Sequence, residues 1–265
     1  MAVNQLDPAE VVVDLRNVYR EFPVKTGRRT LYAFVRDTLA GKTAREAPRV
    51  ALSDVTLTAF SGDKIALIGN NAAGKSTLLK IVAGLLRPTR GSVHTVGDMV
   101  LLTSLGVGMM DEVSVLDNTL LYGALYGVEP PRMRLAFDDI MDWAGMSGYE
   151  DAKLKTLSSG MRARLAFSIV RHIATDLFLI DEALSAGDVS FRARCRGFFD
   201  EPQNRSRTFI VATHDMEFAR SFCTSALWLD HGRIVASGDS RHVVARYEEA
   251  QSRKATGSGP AVVQS

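Results

Sequence analysis

The run Gly69-Asn70-Asn71-Ala72-Ala73-Gly74-Lys75-Ser76 sets two glycines, a lysine and a hydroxyl at the spacing of a loop that holds a polyphosphate. Gly69 and Gly74 permit a tight turn, whose bare backbone N–H groups can then surround phosphate oxygens. Lys75 adds positive charge, and Ser76 offers an oxygen to magnesium. From Thr77 to Ala83 the chain reads as a helix whose N-terminal partial positive charge points at the same phosphates. A second cluster lies far downstream, where the apolar run Leu177 to Ile180 ends in Asp181 and Glu182. Asp181 can enter a magnesium shell, and Glu182 can polarise a water for attack on a γ-phosphate. A solvated strand end accounts well for one acid. A pair after such a run, in a chain that also carries the phosphate loop, favours the catalytic account.

These residues need elements to present them. Lys64 to Ile68 is strand-like and leads straight into the loop, and Val50 to Phe60 alternates apolar and polar residues as a half-buried strand does. Val11 to Leu15 reads as a first strand, and Ser61-Gly62-Asp63 as a turn. Pro88 to Gly91 stops the helix, with short strands expected at Ser92 to Val96 and Met99 to Thr103. Between about Leu116 and Thr175 the pattern turns helical, broken at Gly127, Pro130 and Pro131, and reads as an inserted lobe. Strands return at Asp176 to Ile180, Thr208 to Ala212 and Ala226 to Leu229. This alternation predicts an α/β domain over residues 1–250 with a mainly parallel sheet. From Gln251 to Ser265 the polar, aperiodic sequence predicts a disordered tail.

A chain of 265 residues can bury a substantial core, which excludes a small disulfide scaffold. The net charge of +2 is too mild to indicate a nucleic-acid partner. Its two cysteines, Cys195 and Cys223, lack a metal-ligand spacing and suit a reducing compartment. No apolar run reaches the length of a membrane span, and residues 1–10 lack the pattern of a signal peptide. A cytoplasmic location is expected, with any membrane role exercised through a partner.

Leu157-Ser158-Ser159-Gly160-Met161, shortly before the carboxylate strand, resembles the signature sequence of ABC-transporter ATPase subunits, whose usual form is L-S-G-G-Q. The resemblance spans roughly Val11 to Tyr247. It implies a P-loop NTPase core with an inserted helical subdomain and an antiparallel β subdomain, and it implies ATP and magnesium as ligands. It also implies that Ser158, Ser159, Gly160 and Met161 close over the γ-phosphate bound by a second copy of the chain. Ser185 to Asp188 resembles the loop that crosses the dimer interface, with Asp188 as its acid. Thr213-His214-Asp215 resembles the segment carrying the switch histidine, which implies that His214 contacts the γ-phosphate and orients the attacking water. Phe22 aligns with the aromatic residue that stacks on adenine, and Tyr19 is an alternative.

Two positions depart from the family pattern. Ser159 replaces a signature glycine, and the glutamine that usually precedes the helical lobe has no counterpart. Aligning Leu105 to Glu112 puts Met110 near that position, where a thioether is a poor magnesium ligand, so water or Asp111 is expected to substitute. These departures resemble one branch of the family, the ATPases that export teichoic acids, O-antigen and other cell-envelope polysaccharides. That branch is similar to this chain at Ser158 to Ser168 and at Asp181 to Arg192. The segment from Pro23 to Arg49 carries seven basic residues (Lys25, Arg28, Arg29, Arg36, Lys42, Arg45 and Arg49) against Asp37 and Glu46. It reads either as a solvated basic helix packed on its own domain or as a segment near the membrane surface or the cytoplasmic entrance, where a phosphate-bearing lipid-linked glycan would approach.

The resemblance thus implies an ATPase subunit that acts as a homodimer on the inner face of the membrane. It would drive an integral membrane permease and so, indirectly, move a lipid-linked glycan. No carbohydrate-binding domain is expected after Tyr247. An ABC exporter of a drug, lipid or peptide is the rival within the family, and a soluble ABC clamp acting on DNA or ribosomes is the rival outside transport.

Overall fold

A computed structural model describes residues 10–23, 48–103, 105–181 and 189–255. The basic segment therefore lies outside the described residues except at its ends, and so do Glu182 and Asp188.

Strands β1 (Val11–Phe22), β2 (Arg49–Phe60) and β4 (Arg90–Thr95) form an antiparallel sheet in the order β2-β1-β4. The larger sheet contains β3 (Lys64–Ile68), β5 (Met99–Leu102), β6 (Leu177–Asp181), β7 (Thr208–Ala212), β8 (Ser225–Asp230) and β9 (Arg233–Asp239) in the order β5-β6-β7-β3-β8-β9. All its neighbours pair in parallel except β9, which returns antiparallel along β8. His231 and Gly232 make the turn between them with positive φ (46° and 78°), as a tight hairpin turn requires. Strand β9 had no sequence-level expectation, because its polar and small residues follow no clean alternation.

The continuous apolar runs of the inner strands follow from burial on both faces. Along β6, Phe178 and Ile180 enter one core cluster, while Leu177 and Leu179 enter the other. Strand β7 divides the same way, with Phe209 and Val211 against Ile210 and Ala212. One cluster joins the sheet to the antiparallel sheet and to α1 (Lys75–Val82). The other carries an aromatic layer in which Phe178 stacks on Phe209 at 5.2 Å. It also takes in the helical lobe.

That lobe comprises α2 (Val115–Leu125), α3 (Pro130–Leu135), α4 (Phe137–Ala144) and α5 (Ser159–Val170), all between β5 and β6. Ser114 caps α2 by accepting from the Asp117 amide at 3.0 Å, and Pro130 opens α3, where a missing N–H costs nothing. Helices α6 (Val189–Asp200), α7 (Met216–Phe222) and α8 (Ser240–Ala255) are the other described α-helices. The architecture is the expected one: an α/β core with an inserted helical subdomain and an antiparallel β subdomain. One boundary is corrected, since α8 runs through Gln251 to Ala255 where a disordered tail was expected. Hydrogen bonding of the Gln251 side chain to the body of the protein keeps that last turn in place.

Candidate functional site

The loop between β3 and α1 is held where only glycine fits. Gly69 has φ 144°, and a Cβ there would lie 2.1 Å from the Leu229 carbonyl oxygen. Gly74 has φ 112°, and its Cβ would meet the Ala51 carbonyl oxygen at 2.7 Å. Both contacts are far inside van der Waals distance, so the loop can wedge between β2 and the end of β8 only without side chains at these two positions. The Ala73 amide donates to the Asn70 carbonyl at 3.1 Å, and the Gly232 amide of the β8–β9 turn donates to the Ala73 carbonyl at 2.9 Å.

Helix α1 starts at Lys75 with Gly74 as its cap, which has no side chain to offer the first amides, and no acid occupies its first turn. Such a terminus is suited to an anion. Lys75 is nearly buried, and its Nζ donates to the Gly69 carbonyl at 2.7 Å and to the Asn70 carbonyl at 3.3 Å. His214 Nε2 lies 3.4 Å from the same ammonium. His214 is placed by its neighbours: the Thr213 amide donates to the Leu67 carbonyl at 3.2 Å, and Asp215 caps α7 by accepting from the Phe218 amide at 2.9 Å.

A cavity of about 670 Å³ opens beside the loop. Asn71 to Thr77 form one wall, Thr103 and Asp181 stand at the strand ends, and Phe22, Arg49, Val50 and Ala51 close the remaining side. The cavity thus gathers most of the phosphate-loop residues with Asp181 and Phe22. Tyr19, the alternative to Phe22, is not among its lining residues and has the Arg90 guanidinium 4.2 Å from its ring centroid. Gly69 and Asn70 also lie off the lining; they meet Lys75 through their carbonyls, and the Asn70 side chain turns to α8.

Magnesium is a fit for this place. Ser76, Thr103 and Asp181 present hydroxyl and carboxylate oxygens around one cavity, the hard donors that ion prefers. Among the described residues no group of three or more His, Cys, Asp or Glu could cage a metal alone. An ion sharing its shell with phosphates and water matches that sparse donor set.

Thr103 corrects an expectation. Met110 and Asp111 were placed near the missing glutamine, yet neither lines the cavity. The Met110 amide donates to Asn118 Oδ1 at 2.7 Å, and Asp111 pairs with Arg162 of α5 at 2.5 Å. Thr103 instead follows β5 directly, and because Leu102 pairs with Ile180, it stands beside Asp181 at the carboxyl edge of the sheet. The signal that could have found it is positional: ligands of parallel sheets collect at the carboxyl ends of strands.

The signature residues lie elsewhere. Ser158 caps α5, its Oγ accepting from the Met161 amide at 3.2 Å. Ser158 and Ser159 are exposed, Gly160 and Met161 are half-buried, and none of the four borders the cavity. Among the described residues, a Cβ on Gly160 would meet only Ser158 Oγ, at 4.0 Å. Within one copy, the phosphate loop and these residues do not share a site.

Comparison with known proteins agrees with this geometry. Residues 52–185 match the family described as ABC transporter. The chain is 30% identical over 245 residues to an O-antigen export system ATP-binding protein, RfbB, of Klebsiella pneumoniae, covering 91% of this chain and 99% of that protein. It is 33% identical over 199 residues to the teichoic acids export ATP-binding protein TagH of Bacillus anthracis, covering 75% of this chain and 36% of TagH. In fold it resembles the ATP-binding subunit of an ABC transporter, with TM-score 0.69 and 20% identity, over 89% of this chain and 93% of that one. It is also similar to a dimeric ATP-binding cassette in a post-hydrolysis state with ADP and Pi, with TM-score 0.67 and 20% identity, over 86% of this chain and 99% of that one. With the phosphate loop, the strand-end carboxylate and the signature helix each in position, the chain belongs to the ABC transporter family.

Proposed function

We propose that this chain is the ATP-hydrolysing subunit that powers export of a lipid-linked cell-envelope polysaccharide or teichoic acid through a separate membrane subunit. One observation carries the ATPase reading: Lys75, Ser76 and Asp181 share the cavity at the carboxyl edge of the sheet, with His214 at Lys75. The names of the relatives RfbB and TagH support the choice of cargo.

In this reading the Lys75 ammonium leaves the carbonyls of Gly69 and Asn70 for phosphate oxygens, and the amides from Asn71 to Thr77 take the rest of the negative charge. Phe22 stacks on adenine. Ser76, Asp181 and Thr103 would hold magnesium, and the ion would supply positive charge against the phosphates. Glu182 accepts a proton from the attacking water, and His214 fixes that water and the γ-phosphate. Ser158 to Met161 of a second copy close the site, so two chains pair head to tail, with Asp188 at their interface. Reopening after hydrolysis drives the membrane subunit.

Glu182→Gln at saturating ATP is expected to trap a nucleotide-bound dimer by size-exclusion chromatography, and a variant that stays monomeric would overturn the composite site. For the cargo, the chain copurified with its membrane subunit should hydrolyse ATP faster when a lipid-linked glycan is added. Stimulation by a drug or peptide instead would reassign it.

A further inference from the structure

We propose that α8 positions the phosphate loop through Asn70, with Gln251 and Tyr247 as positioning residues for nucleotide binding; this rests on the reading of that loop as the ATP site. Gln251 Nε2 donates to Asn70 Oδ1 at 2.6 Å, and the Tyr247 hydroxyl lies 3.2 Å from the same oxygen. Two donors therefore use the acceptor capacity of one side-chain carbonyl. The backbone carbonyl of Asn70 takes two other donors, the Ala73 amide at 3.1 Å and Lys75 Nζ at 3.3 Å. One residue thus ties α8 to the ammonium that must turn towards phosphate.

When Lys75 turns, the Asn70 carbonyl loses one of those donors. The contacts from α8 remain and keep the loop in its binding shape, so less ordering is required when the nucleotide arrives. The anchor is itself fixed. Tyr247 is buried and meets Trp228 of β8 edge to face at 5.5 Å, and Ser240 Oγ at the start of α8 donates to the Ala219 carbonyl of α7 at 2.7 Å. Glu248 pairs with Arg220 of α7, the helix that begins two residues after His214. Helix α8 therefore braces both the phosphate loop and the histidine segment.

The test is nucleotide affinity and turnover of the full chain. Gln251→Met removes the donor with little change of shape and no added charge, and Tyr247→Phe removes only the hydroxyl. Each should weaken ATP binding by about threefold or more, in the range of one lost hydrogen bond, while kcat at saturating ATP stays within about twofold. In an Asn70→Ala background, Gln251→Met should have no further effect. Unchanged affinity in both single variants would overturn the proposal, as would an undiminished loss in the Asn70→Ala background. Failure of the unaltered chain to bind ATP would instead overturn the ATPase reading, and this proposal with it.

Discussion

Lys75 Nζ lies 3.4 Å from His214 Nε2, although the two residues are 139 positions apart in the chain. An ammonium only donates, so a hydrogen bond in this contact requires Nε2 to be the acceptor. Once a phosphate draws Lys75 away, contact between His214 Nε2 and the same anion requires the proton to sit on Nε2, because phosphate oxygens only accept.

His214→Ala is therefore expected to act on turnover. A positioned proton-transfer or water-orienting group contributes about 10²- to 10⁴-fold, so kcat should fall by about that range while ATP affinity changes little. Steady-state hydrolysis beside a nucleotide titration checks the split. Weaker ATP binding with kcat unchanged would instead assign His214 to ground-state binding.

Thr103 and Asp111 make opposite predictions. Thr103→Val keeps the shape and removes the hydroxyl beside Asp181, and should raise the magnesium concentration for half-maximal hydrolysis severalfold. Asp111→Ala should leave that dependence unchanged, because Asp111 is engaged with Arg162 and stands off the cavity. Its partly exposed ion pair is worth about 0–1 kcal/mol of stability. Manganese binding in the presence of nucleotide, followed by electron paramagnetic resonance, separates the two without reference to turnover.

Ala72 holds φ 64°, a left-handed conformation that costs a residue with a Cβ about 1–2 kcal/mol. It is exposed, so removing its methyl leaves no buried void. Ala72→Gly should stabilise the fold by about 0.5–1 kcal/mol after glycine's greater loss of chain entropy, or about 2 °C in Tm. Calorimetry of the nucleotide-free protein measures this; a lower Tm would show that Ala72 makes contacts worth more than its strain.

Asp215 links the site to pH. Burial alone would raise its pKa, but the Phe218 amide, the Arg196 guanidinium and the Glu217 amide together hold it below the usual carboxylate value. A depressed folded-state pKa contributes stability that is fully present above the unfolded value, near about 4, and is lost as pH falls through the folded one. Denaturant melts should show acid destabilisation below about pH 4 that is shallower in Asp215→Asn. At neutral pH, Asp215→Ala should cost about 1 kcal/mol through loss of the α7 cap. An unaltered acid limb would remove Asp215 from the account.

The local parts of the site were legible in the sequence. Gly69, Gly74, Lys75 and Ser76 lie within one turn of chain, and Asp181 ends a buried apolar run, so residue type and spacing suffice to name their chemistry. The inserted lobe was legible too, because helical periodicity and the Gly127 to Pro131 breaks are short-range signals. Strand pairing, by contrast, is set by contacts between distant segments. Only the tertiary structure put Thr103 beside Asp181 in place of Met110, because alignment along the chain does not see which strand end abuts which. It placed Phe22 and not Tyr19 at the cavity, a choice made by the register and bulges of β1 on β2 and β4. It also brought Gln251, expected in a disordered tail, onto Asn70 at 2.6 Å. A hydrogen bond across 181 positions leaves no local pattern; it exists only once α8 has packed against β8 and α7.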